Sequence, residues 1–174
     1  MRRALIAALL LAAPGPALAD RTTMIRPIQP AARGQAADAV AVAISGSAAT
    51  SIADDTEIAR YRTVVADAVR AALAAGETPG IEIAITIDTL VVADGGAAFL
   101  NAPDRIAGLV ELFETPERRP IGMLYIDIEN RHPGLVGVAL RGVKVRETLA
   151  REFAVRLAKA MGVKAKRAPG GKGR

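Results

Sequence analysis

The clearest pattern in the chain has a period of two. Ile81, Ile83, Ile85 and Ile87 alternate with Glu82, Ala84, Thr86 and Asp88. Four β-branched residues in strict alternation predict a strand with one buried face and one wet or lightly covered face. Upstream the period is helical. Ile58, Tyr61, Val65, Ala68, Val69, Ala72 and Leu73 fall on one face, with Arg60, Arg62, Asp67 and Arg70 elsewhere. Asp54-Asp55-Thr56 offers N-cap candidates, Glu57 suits the first turn, and Gly76 and Pro79 mark the end. A second helix closes the pattern: Val145, Leu149, Phe153, Leu157 and Met161 repeat every four residues, bordered by Ala150, Ala154 and Ala160. Arg146, Arg151, Arg156 and Lys159 decorate its outside, and Gly162 stops it.

Weaker signals fill the remainder. Val40, Val42 and Ile44 fit a short strand, and Gly46–Ala53 reads as a loop. Leu124, Ile126 and Ile128 share one face of a strand over 121–129, with Tyr125, Asp127 and Glu129 on the other. The stretch before it fits two patterns. Ile106, Leu109, Val110 and Phe113 have helical spacing, but Gly108 weakens a helix and 115–120 reads as a turn. A hairpin of 106–115 with 121–129 is favoured over a helix followed by a strand. The predicted order is strand, helix, three strands, helix. The fold class is α+β: a mainly antiparallel sheet of about four strands with two amphipathic helices on one face.

The first twenty residues carry a different message. Arg2 and Arg3 precede an apolar run of ten residues, Ala4–Ala13, then Pro14-Gly15-Pro16 and the small-residue site Ala17-Leu18-Ala19. This is the layout of a secretory signal peptide cut between Ala19 and Asp20. The run is shorter than the ~20 residues of a membrane-spanning helix. The expected mature chain holds 155 residues without a transmembrane segment, and it is periplasmic or secreted. The expected divisions are a signal peptide (1–19), an extended lead-in (20–36), one α+β domain (37–162) and a basic disordered tail (163–174).

Composition narrows the chemistry. Of 174 residues 37 are alanine, aromatics are 3 %, and there is one His and no Cys. Disulfides, thiolate metal sites and thiol nucleophiles are excluded. The formal charge of +5 is mostly terminal, because the last eleven residues hold five basic groups. So few aromatics, with an export signal, argue against nucleic acid as a partner.

Each candidate for chemistry has a simpler reading. His132, before Pro133, fits a solvent-facing turn and has no second His as a co-ligand. Glu111, Glu114, Asp127 and Glu129 would meet across the hairpin, where a carboxylate pair can hydrolyse glycosides. Alternate acidic residues on a wet sheet face explain them more simply. Ser45-Gly46-Ser47 is no nucleophile elbow. Asp94-Gly95-Gly96 and Gly170-Gly171-Lys172-Gly173 lack the parts of a phosphate loop. The apolar, Gly-containing 134–142 reads as core, with a membrane or partner surface as the alternative. No catalytic residue, metal ligand or cofactor is expected.

Taken together, the leader, the helix ending Ala74-Ala75-Gly76, the strand Ile81–Ile87, the pair 110–116 and 120–125, and the closing 149–157 resemble small bacterial envelope proteins. Many of these are lipoproteins, and the likeness spans roughly residues 55–161. It implies the same helix–strands–helix domain and offers no catalytic residues. Lipid tethering would need a Cys, which this chain lacks. The function expected is that of a non-catalytic accessory or structural binding component of the cell envelope, its partner an envelope protein or a cell-wall polymer. The alternatives are a small periplasmic hydrolase using the acidic face and a binder of small apolar ligands.

Overall fold

The computed structural model describes residues 21–52, 54–76, 79–93, 103–130 and 145–163. The signal-peptide and cleavage-site readings, His132, the 134–142 segment and the tail beyond Val163 lie outside them. Five strands form one sheet: β1 (Arg21–Arg26), β2 (Ala36–Ile44), β3 (Pro79–Val91), β4 (Asp104–Glu114) and β5 (Arg119–Asn130). Their spatial order is β1-β5-β4-β3-β2, antiparallel throughout except that β2 runs parallel to β3. A parallel pair needs a crossover. Here it is made by a short helix α1 (Gly46–Thr50) and the long helix α2 (Asp55–Leu73). Helix α3 (Val145–Ala160) closes the fold.

The helix starts and stops follow the sequence signals. Asp54 accepts the Glu57 amide at 2.8 Å, an N-cap bond. At the end of α3, Gly162 takes φ +75°. The Val163 amide then reaches the Ala158 carbonyl at 2.9 Å and the Gly162 amide the Lys159 carbonyl at 3.1 Å, a Schellman ending. Val163 is buried beneath it.

One face of the sheet supplies the core. Val40, Ile83 and Leu112 stand side by side in register, as do Val42, Ile85, Val110 and Leu124. The β3 isoleucines, Ile106, Val110, Leu112, Leu124, Ile126 and Ile128 are all essentially buried. Helix α2 lies over β2, and α3 lies against α2 and over β4 and β5.

The hairpin reading of 106–115 with 121–129 holds: β4 and β5 pair from Asp104↔Asn130 to Glu114↔Arg119. Two elements differ from expectation. The sheet has five strands because Arg21–Arg26, read as part of an unpatterned lead-in, pairs with β5. As an edge strand it is almost wholly exposed, so it needs no apolar alternation, and backbone bonds hold it. Gly46–Thr50, read as loop, is one helical turn anchored by the fully buried Ala48.

Candidate functional site

No described helix lies over the second face of the sheet, and this is where the polar side chains gather. From the register, Ala41, Ala84, Glu111 and Met123 form one row across it, and Ala43, Thr86, Leu109 and Tyr125 the next. The members of these rows on β3, β4 and β5 are half-buried. The alternation of β3, β4 and β5 assigns these residues to this face, as the sequence predicts for β3 and β5.

The four candidate carboxylates do not converge. Asp127 and Glu129 are two residues apart on one strand, about 7 Å along it. Glu111 pairs with Met123 and Asp127 with Ala107, which separates Glu111 from Asp127 by about 13 Å. Glu114 lies beyond, at the end of β4 beside the turn, bonded to Arg119. Asp127 is held by Arg105 in a bidentate pair, Nε to Oδ1 at 2.8 Å and Nη2 to Oδ2 at 2.7 Å. The bond to Asp127 raises the Arg105 pKa further, so the guanidinium stays charged. Its neighbour Glu129 also has a polar contact within the fold.

Two further polar residues complete the arrangement. Asp88 sits where the β3 register slips against β4, between Ile87 and Thr89. Its Oδ1 accepts from the Tyr125 hydroxyl at 2.9 Å and from the Thr89 hydroxyl at 2.8 Å. The tyrosine reaches it across β4, where the small Ala107 lies. Burial and then the bond to Asp88 raise the Tyr125 pKa, so it is a donor and not a base. At the hairpin turn Arg118 pairs with Glu82 at 2.8 Å and lies 4.9 Å over the Phe113 ring. The roles of Arg105, Asp88 and Tyr125 escape sequence reading because they depend on a bulge and on cross-strand register.

Chemically, this is an open sheet face on which Asp127 and Glu82 are in ion pairs, Asp88 accepts from hydroxyls, and Glu111 is set apart from Asp127. A general acid or base needs a carboxyl free to exchange its proton beside a concave substrate site. Asp127 instead has both oxygens committed to a permanent cation. The Arg105 and Asp127 side chains are 42 % and 23 % exposed, so the pair adds little stability. Arg105→Gln is expected to shift the urea midpoint by the equivalent of less than about 1 kcal/mol. A larger loss would show that the pair holds the sheet together.

Among the described residues, two of the clefts are walled by helix α3. One of about 260 Å³ lies between α2 and the start of α3, lined by Tyr61, Val64, Arg146 and Glu57 among others. The Tyr61 hydroxyl donates to the Arg146 carbonyl at 3.2 Å, and burial pushes its pKa well above the ordinary tyrosine value. The neutral form is therefore favoured by folding. Its contribution is complete below the unfolded pKa of about 10 and is lost as pH rises above that. Stability is expected to fall above about pH 10, and Tyr61→Phe to remove most of that fall at a cost of about 1 kcal/mol at neutral pH. An unchanged alkaline limb in urea melts of the variant would contradict this. The second cleft, between β5 and α3, is about 490 Å³.

Among the described residues no cluster of His, Asp and Glu could hold a metal ion, and no helix is long and apolar enough to cross a membrane. No protein-family model and no curated protein matches the sequence. Solved structures do share the fold. The PelC dodecamer from Paraburkholderia phytofirmans superposes with a TM-score of 0.50 at 7 % identity, covering 84 % of this chain and 99 % of that one. A Xanthomonas campestris protein of family DUF330 gives 0.47 at 12 % identity, over 76 % and 87 % of the two chains.

Proposed function

We propose that the chain is an exported, non-catalytic component of the bacterial cell envelope that acts by binding. The observation that carries the non-catalytic half is the state of the open-face carboxylates. On that face Asp127 and Glu82 are tied to arginines and Asp88 to hydroxyls, and Glu111 stands about 13 Å from Asp127. A hydrolase using the acidic face would need two carboxyls converging on one cavity, which the spacing of Glu111, Asp127 and Glu129 does not provide. The envelope half rests on the leader: two arginines, ten apolar residues and a small-residue cleavage site. The solved PelC structure is a dodecamer, and a domain of this fold that works through its surfaces is consistent with that.

The test is fractionation of cells expressing the chain with a C-terminal tag, followed by N-terminal sequencing and crosslinking in the envelope fraction. Protein starting at Asp20 and crosslinked to an envelope protein or cell-wall polymer is the expected result. An intact Met1 on soluble cytoplasmic protein would overturn the export reading.

A further inference from the structure

Among the described residues, helix α3 keeps an exposed outer face. Leu149, Phe153 and Leu157 are buried beneath it, while Arg151, Val155 and Lys159 stand exposed at four-residue spacing. Where this outer face meets the end of β5 it walls the groove of about 490 Å³, floored by Ile128 and Val155 and rimmed by Arg151, Arg156 and Lys159. Two carboxylates also reach the groove, and both are engaged: Glu152 accepts the Asn130 amide at 3.2 Å on each oxygen, and Glu129 has a polar contact of its own. Val155 is 46 % exposed, a large apolar side chain set between cations.

Charge along the chain sharpens the picture. Residues 145–174 hold nine basic and two acidic groups, while residues 20–144 hold twelve basic and sixteen acidic. The positive surplus is therefore confined to this helix and the sequence that follows it, and the rest of the mature chain is acidic. Such asymmetry orients a molecule toward an anionic surface.

The geometry points to a docking face for anionic phospholipid headgroups. Phosphates would sit on Arg151 and Lys159, and the glycerol and first methylenes would rest on Val155; Arg156 has an interaction of its own within the fold. Long cationic side chains around an apolar centre suit this interface, their stems lying along it and their charges at headgroup level. The occupant is a phospholipid rather than a polysaccharide or a nucleic acid because no described lining residue is aromatic, so rings find no stacking platform among them. The inference takes from the export reading only where the chain meets such a membrane.

The experiment is cosedimentation of residues 20–174, which include every described element, with lipid vesicles. Vesicles of phosphatidylcholine with about a third phosphatidylglycerol are compared with phosphatidylcholine alone. Binding to the anionic vesicles that weakens with salt is expected. Each Lys or Arg near an anionic surface is worth about fivefold in partition. The double variant Arg151→Gln with Lys159→Gln should thus bind about 25-fold more weakly, and each single variant about fivefold. Arg33→Gln with Arg62→Gln removes the same charge elsewhere on the exposed surface and should change binding less than about twofold. Equal losses in the two doubles would reduce the effect to net charge and overturn the site. So would equal binding to both vesicle types, or no binding to either. Displacement from vesicles by millimolar glycerol phosphate would identify a site for a small soluble anion and overturn the membrane assignment. Purified protein reads this surface whether or not the chain is exported, so the two readings fail separately.

Discussion

Phe153→Ala is expected to lower the free energy of unfolding by about 3–5 kcal/mol. The ring is fully buried, on the helix that lies against α2 and over β4 and β5. Removing it deletes buried apolar surface and leaves a cavity that helix and sheet cannot both close. A domain of this size holds only about 5–15 kcal/mol in total, so the variant should unfold at much lower urea. With so few aromatics in the chain, there is little bulk nearby to refill the space. A loss below about 1 kcal/mol in urea melts would mean that α3 is not docked as described.

Gly108→Ala should also destabilise, against the usual gain from replacing a strand glycine. Gly108 is buried on the core side of β4, between Ile87 and Ile126. An added Cβ would lie 2.6 Å from the Thr86 carbonyl oxygen and 3.0 Å from the Ile87 Cδ1. The first of these is backbone inside a paired strand, so relief requires moving β3 against β4. The expected cost is about 1–3 kcal/mol, as for other overpacked cores. Unchanged or raised stability in the same melts would show that the β3–β4 register near Ile87 is looser than described.

The same glycine shows how much of the fold the sequence carries. With the turn at 115–120, Gly108 favours a hairpin over a helix at 106–115, and its physical role is this close approach of β3. The long elements were legible because each buries one face completely. The isoleucines of β3 repeat every two residues, and Leu149, Phe153 and Leu157 of α3 every four. β1 was not legible because an exposed edge strand leaves no such trace. α1 was not legible because a single buried alanine cannot be told from a loop alanine. The crossover that makes β2 parallel to β3 lies in the path of the chain, not in either strand's pattern.

The site divides along the same line. Alternation placed Asp127, Glu129 and Tyr125 on one face of β5, and they are there. Their partners were hidden: Arg105 lies 22 residues before Asp127, and Asp88 lies 37 residues before Tyr125, displaced by a bulge. These partners turn a suggestive cluster of carboxylates into a set of closed ion pairs and hydrogen bonds.

That the chain acts by binding and not by acid–base chemistry is put to the test by complementation. A deletion strain carrying Asp127→Asn with Glu129→Gln removes the two candidate carboxylates that share β5 on the open face. The loss of one half-exposed ion pair should leave folding intact, checked by the urea midpoint, and export intact, checked by fractionation. Full rescue of the deletion phenotype, to the level of the parent chain, is expected. Failure to restore it, in a variant that folds and is exported like the parent chain, would contradict the binding reading and assign the acidic face a catalytic role.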